Sequence, residues 1–154
     1  MKKTTLILFL FSILFVGSIK AQTGSSYTNA VGIKFYPGGI TFKHFLNEKN
    51  ALEGIGYFYS RGTRITGLYE INYPISEVEG LKWYIGPGAH LGFFNSNNGG
   101  GVSLGVDGVL GLDYKIAEAP LNISLDIQPA LELANSKTDN RLNVWGGIGI
   151  RYTF

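Results

Sequence analysis

Cysteine is absent from the 154-residue sequence, which excludes a disulfide framework, a thiol nucleophile and a thiolate metal site. Histidine occurs only twice, at His44 and His90, and no spaced set of further ligand residues surrounds either one. We therefore expect no metal site, and no cofactor is indicated. Charged residues make up only 16% of the chain and form no basic cluster, so nucleic acid is not an expected partner.

Long hydrophobic runs are also lacking, with one exception near the start of the sequence. Leu6 to Val16 is almost wholly Leu, Ile and Phe after a basic Met1-Lys2-Lys3, and it is shorter than the roughly 20 residues of a spanning helix. This pattern predicts a secretory signal peptide over residues 1–21, cleaved after Ala21. Its removal takes away three lysines and no acid, so the formal net charge falls from +2 to −1.

The remaining chain is rich in residues that suit β-strands, with 9 Tyr and 7 Phe, and it also contains 21 Gly. After a short polar leader, residues 22–28, segments of alternating apolar and polar residues follow one another, separated by turn residues such as Pro37-Gly38-Gly39. Because successive side chains of a strand point to opposite faces, each segment has one apolar and one polar face. The stretch from Arg141 to Phe154 keeps this alternation to its last residue.

Eight such segments occupy residues 29–154, and short turns join them in order. Consecutive antiparallel strands leave two unpaired edges, which closure of the sheet removes. The sequence therefore predicts an all-β fold, an eight-stranded antiparallel up-and-down transmembrane β-barrel. The phase of the third segment, Ala51 to Ser60, stays open, because an inward Glu53 also turns the apolar Ile55 and the aromatic Tyr57 and Tyr59 inward.

In each predicted strand, the charged residues lie at alternate positions and so share one face (one parity), and the opposite face carries almost none. We expect them to face the barrel interior as a network of ion pairs and hydrogen bonds that fills the barrel and leaves no open channel, because charges in so narrow a space must be paired. Acids in this network are interpreted as structural partners of Lys and Arg, not as catalytic groups. Inward glycines such as Gly86 and Gly105 leave room for a local cavity. The predicted interior network comprises Lys34, Lys43, Arg64, Glu70, Lys82, His90, Asp107, Asp113, Asp126, Glu132 and Arg151.

The Tyr152-x-Phe154 ending of an alternating last segment resembles the final strand of bacterial outer-membrane β-barrels, where the assembly machinery reads such an ending. With eight strands, the chain resembles the small OmpX, OmpW and OmpA transmembrane-domain classes. The resemblance implies the outer membrane of a Gram-negative bacterium, with membrane lipid and the barrel assembly machinery as partners, and a monomeric state. Tyr152 and Phe154 are then the assembly signal.

Aromatic residues fall near both ends of the predicted strands, as expected for a barrel that meets two membrane interfaces. If both chain ends lie in the periplasm, the periplasmic band comprises Phe45, Tyr73, Trp83, Tyr114, Tyr152 and Phe154. The opposite band comprises Phe35, Phe58, Phe93 and Trp145.

Function follows less directly from these patterns. We expect a structural barrel or a narrow small-solute barrel, and the short outer loops disfavour adhesion. The alternative is a secreted, soluble lipocalin-like barrel, with the Leu/Ile parity facing inward around an apolar ligand. A lipid-modifying enzyme is the third alternative, but His90-Leu91-Gly92 and His44-Phe45-Leu46 lack the His-x-Ser of lipid A deacylases, so no catalytic residue is expected.

Overall fold

The computed structural model describes residues 26–98, 100–135 and 141–154. The expected signal peptide, most of the polar leader and the expected outer loop from Ser136 to Asn140 lie outside these ranges. No helix of the described residues is long and apolar enough to cross a membrane.

Eight strands account for most of the described chain, and a single 3-10 turn, Ser96–Asn98, lies between the fifth and the sixth. The strands are β1 Asn29–Phe35, β2 Gly39–Phe45, β3 Asn50–Tyr59, β4 Gly62–Pro74, β5 Leu81–Phe94, β6 Gly101–Ile116, β7 Leu121–Asn135 and β8 Leu142–Thr153.

Each strand pairs antiparallel with the next one in sequence, and β1 pairs with β8 to close the barrel. The prediction of an all-β, eight-stranded, antiparallel up-and-down barrel is confirmed. Closure gives every strand two hydrogen-bonded neighbours, so the sheet has no free edge. The end that carries Asn29, Phe45 and Thr153 is named the terminal end, and the end with the connections after β1, β3 and β5 is named the loop end.

The two faces of the barrel wall differ sharply in chemistry. On β7, Asn122, Ser124 and Asp126 are 0–3% exposed, whereas Leu125 and Ile127 are 54% and 56% exposed. The same sorting runs around the barrel: most polar and charged side chains of the strands point inward, and most Leu, Ile, Val and Phe side chains point outward. The period-two alternation of the sequence thus separates the side chains that face the interior from those on the outer surface.

The register of the strands fixes the phase of β3. Glu53 is paired with Lys43 of β2 and therefore shares its inward face. Glu53, Ile55 and Tyr57 are buried, while Leu52 and Phe58 are exposed. Of the two phases that the sequence allows, the one with Glu53 inward is correct.

Candidate functional site

Ten of the eleven residues predicted for the interior are buried inside the barrel, and the eleventh, Lys82, is half-buried at the terminal end. The structure adds Glu53 and Lys115 to them. Within the described part of the chain, six buried carboxylates then share the interior with five buried Lys and Arg side chains and His90. The buried ten are Lys34, Lys43, Arg64, Glu70, His90, Asp107, Asp113, Asp126, Glu132 and Arg151.

Lys43 and Arg151 hold the larger group of charges together. The Lys43 Nζ lies 2.7 Å from Glu70 Oε2 and 2.9 Å from Asp113 Oδ2. Arg151 Nη2 lies 2.6 Å from Glu53 Oε1, and its Nη1 lies 3.5 Å from Asp113 Oδ2. Each cation thus contacts two carboxylates that come from different strands, and Asp113 is shared by both.

Lys34 of β1 extends this group across the barrel. Its Nζ lies 2.5 Å from Asp126 Oδ2 on β7 and 4.0 Å from Glu53 Oε1 on β3. Asp126 also accepts hydrogen bonds from the Tyr84 hydroxyl at 2.8 Å and from Gln128 Nε2 at 2.8 Å. The Gln128 contact lies within β7, whereas the contacts of Lys34 and Tyr84 join strands that are not neighbours in the sheet and so brace the barrel through its interior.

A second group of charges lies toward the loop end. His90 Nδ1 lies 3.0 Å from Asp107 Oδ2, and its Nε2 lies 3.1 Å from Glu132 Oε1. Arg64 forms a close ion pair with Asp107 and a longer one, 3.8 Å, with Glu132. The guanidinium of Arg64 also stacks 4.4 Å from the ring centroid of Trp145.

An apolar and aromatic layer connects the two charged groups. It consists of the buried side chains of Ile55, Tyr57, Leu68, Tyr84 and Val109. The Tyr84 ring lies 4.6 Å from the Lys43 Nζ on one side of the layer, and Trp145 packs against the layer from the Arg64 side. Inward Ile55 and Tyr57 follow from one of the two phases left open for β3, but Leu68 and Val109 were not expected inside, because they are apolar residues on otherwise polar faces.

Two residues expected in the aromatic bands point into the barrel. Phe45 is only 7% exposed and lies at the terminal end, where the Lys43 Nζ is 5.1 Å from its ring centroid. Trp145 packs inward near the loop end, 5.3 Å from the ring centroids of both Tyr57 and Tyr59. Both residues lie on the inward parity of their strands, so nearness to a strand end alone was a misleading criterion for a membrane-facing band.

Tyr27 closes part of the terminal end, although the sequence places it in the polar leader. Its ring packs edge-on against Phe45 with centroids 5.0 Å apart, and its hydroxyl donates to Asp113 Oδ2 at 2.9 Å. Burial, together with the Asp113 carboxylate, raises the pKa of the Tyr27 hydroxyl well above its usual range, so the hydroxyl remains a donor.

Inward glycines make room for the larger interior side chains. A Cβ added to Gly105 would lie 2.4 Å from His90 Cε1, and one added to Gly111 would lie 2.5 Å from Tyr84 Cζ. At Gly105, one of the positions where the sequence left room for a cavity, the space is therefore occupied by the ring of His90. The largest fully buried side chains, including Arg64, Arg151, Tyr57 and Tyr84, all face the interior.

In this interior, the acidic side chains and the Lys, Arg and His side chains lie in contact with one another. Both ring nitrogens of His90 face carboxylates, so neither nitrogen is directed at a hydroxyl nucleophile. Among the described residues, no group of three or more His, Asp and Glu is placed to hold a metal ion. The other histidine, His44, is half-buried and lies 2.8 Å from Asn29 Oδ1 through its Nδ1.

Lys115 and the two expected assembly residues lie at the terminal end. The Lys115 Nζ donates to the carbonyl oxygens of Ile116 and Ala119, both at 2.7 Å. The rings of Tyr152 and Phe154 stack with centroids 6.4 Å apart, and the Asn29 amide donates to the Phe154 carbonyl at 2.9 Å.

Comparison of the chain with protein-family models, with curated proteins and with solved structures gave no match.

Proposed function

We propose that the chain is an integral β-barrel protein of a bacterial outer membrane, with an interior closed by paired charges and a structural role, similar to small OmpX-like barrels. One observation carries the proposal: the polar side chains are inside the closed barrel and the large apolar ones are outside. Lys34, Lys43 and Arg151 are at most 1% exposed, whereas Ile65, Ile127 and Leu133 are 56–60% exposed.

The free energy of an outer surface of this kind is lower in lipid than in water. Burial of apolar area yields roughly 25 cal/mol per Å², so a belt of exposed Leu, Ile and Val around the whole barrel is costly in water. Monomeric soluble proteins rarely expose apolar patches larger than a few hundred Å². In a closed barrel the backbone N–H and C=O groups of every strand form hydrogen bonds within the sheet. This is the condition that β-structure must meet in hydrocarbon.

The lipocalin-like alternative requires the opposite arrangement, with Leu and Ile lining a ligand cavity. In the structure, Ile123, Leu125 and Ile127 point outward, and the interior positions beside them hold Ser124, Asp126 and Gln128. This placement favours the membrane proposal over the soluble one.

Membrane integration is tested by flotation of the purified, refolded chain with phospholipid vesicles. We expect the protein to float with the vesicles, to resist extraction by carbonate at high pH, and to migrate differently in gels before and after boiling, because a closed barrel stays folded in cold detergent. A soluble lipocalin as control should remain at the bottom of the gradient. Recovery of the chain as a water-soluble monomer without detergent would contradict the proposal.

The closed interior is tested separately by conductance across planar bilayers. We expect no stable stepwise conductance from the wild-type chain, because the charged groups and the layer of Tyr57 and Tyr84 fill the barrel. A Tyr57→Ala/Tyr84→Ala variant, which removes two of the largest interior rings, should conduct and thereby shows that the assay detects an opened barrel. Porin-like conductance from the wild type would replace the structural role with a transport role.

A further inference from the structure

A pocket of about 900 Å³ opens at the terminal end of the barrel, next to the paired charges of the interior. Four parts of the chain line it: the segment before β1, the turn between β2 and β3, the end of β4 and the start of β5. Aromatic walls come from Tyr27, Phe45 and Tyr73, and two lysines, Lys49 and Lys82, complete the lining together with polar neighbours.

Among the described residues, the close partners of these two ammonium groups are aromatic rings, whereas the buried Lys34 and Lys43 contact carboxylates. The Lys82 Nζ lies 4.8 Å from the ring centroid of Phe45, and the Lys49 Nζ lies 4.6 Å from that of Tyr73. Over the described ranges, neither ammonium group has a carboxylate within the 4.0 Å of an ion pair. A cation held over a ring face keeps its N–H donors available on the other side.

The acids nearest to Lys82 do not neutralise the pocket. Asp113, its register partner on β6, is already engaged by Lys43 and Arg151. Glu48 also lines the pocket and acts on Lys82 at longer range. With two lysines against Glu48, the lining carries an excess of positive charge, which favours an anionic occupant.

We propose that this pocket binds the phosphate group of a phosphate ester, with Lys49 and Lys82 as its two cationic contacts. Two ammonium groups offer six N–H donors, which suits the several oxygens of a tetrahedral phosphate better than the two oxygens of a carboxylate. The rings of Phe45 and Tyr73 provide apolar walls for the organic part of the ester. Membrane phospholipid and a soluble organic phosphate share this chemistry.

The test is isothermal titration calorimetry of the full chain in dodecyl maltoside, a detergent without phosphate. The probes are dihexanoyl phosphatidylglycerol and glycerol 1-phosphate, and glycerol serves as the uncharged control. We expect saturable binding of at least one phosphate probe and none of glycerol. Lys49→Gln and Lys82→Gln should each weaken that binding about tenfold, the usual size of a lost charge-assisted contact.

Arg61→Gln is the matched control, because it removes the same charge from an exposed position at the loop end. We expect its affinity to stay within about twofold of the wild type. Lys49 lies in an exposed turn, so its variant also tests the pocket should Lys82→Gln fail to fold, which the gel shift on boiling reveals.

The outcomes separate the two sources of phosphate. Binding of phosphatidylglycerol alone assigns the pocket to a membrane lipid, an assignment that rests on the proposed function, and binding of glycerol 1-phosphate as well assigns it to a soluble ester. The absence of saturable binding by the wild type, or equal weakening by Arg61→Gln, would overturn the proposal. Neither result bears on flotation with vesicles, so failure of the pocket and failure of the membrane proposal are distinguishable.

Discussion

Replacing Arg151 with Met is expected to lower the free energy of unfolding by about 3–5 kcal/mol, the usual cost of removing one partner from a buried ion pair. The guanidinium contacts Glu53 at 2.6 Å and Asp113 at 3.5 Å, and it donates to Asn122 Oδ1 at 2.9 Å. With Arg151 gone, the cation that remains within 4.0 Å of Glu53 among the described residues is Lys34, and the Thr41 hydroxyl donates to Glu53 at 2.5 Å. A buried carboxylate is then left undercompensated.

Urea unfolding of the vesicle-bound protein, followed by tryptophan fluorescence, measures this loss. The matched control is the double variant Arg151→Met/Glu53→Gln, which removes the orphaned charge together with its partner. We expect it to recover more than half of the lost free energy, because a buried pair replaced as a whole is often close to neutral. A single Arg151→Met variant within 1 kcal/mol of the wild type would show that this pair is not what holds the interior together.

Ile127→Arg is expected to cost about 2–4 kcal/mol, the penalty for a cation at the midplane on the lipid-facing side of a membrane barrel. Ile127 lies near the middle of β7, between Leu110 of β6 and Gly146 of β8, and is 56% exposed on the outer surface. In water the same change would put a charge on an exposed position and cost little.

Leu121→Arg is the comparison variant, because it shows how the cost of an outward arginine depends on its depth in the membrane. Leu121 is the first residue of the same strand, points outward like Ile127 and is 39% exposed. Near an interface the cost of arginine falls to about 0–1 kcal/mol. Unfolding free energies of the two variants in the same vesicles should therefore differ by at least 1 kcal/mol. Equal small costs at both positions would be the result for a barrel surrounded by water.

Much of this architecture could be predicted from the sequence because a strand has only two faces. Once Asn122, Ser124 and Asp126 share a parity, any closed sheet that buries one of them buries all three. The same logic placed ten of the eleven expected interior residues inside. This placement required only the alternation of the sequence and no knowledge of which charged residues pair.

The sequence left open those parts of the fold where apolar residues occupy positions that face the interior. β3 has apolar residues on both faces, Leu52 outward and Ile55 inward, so only its pairing with Lys43 decides the phase. Phe45 and Trp145 are aromatic residues on polar faces, where cations from other strands, Lys82 and Arg64, lie over their rings. Tyr27 precedes the first strand, where no alternation exists to orient it.

The wall of the barrel is uneven in height, and this has a consequence for how the protein would sit in a bilayer. β1 and β2 have 7 residues each, about 23 Å along the strand, whereas β6 has 16 residues, about 53 Å. A tilted spanning strand needs about 9–11 residues, so the first hairpin would meet a hydrophobic mismatch that the opposite side escapes. Lipid beside that hairpin would have to thin, or the barrel axis would have to lean, and either response makes the host membrane's thickness a determinant of the protein's orientation.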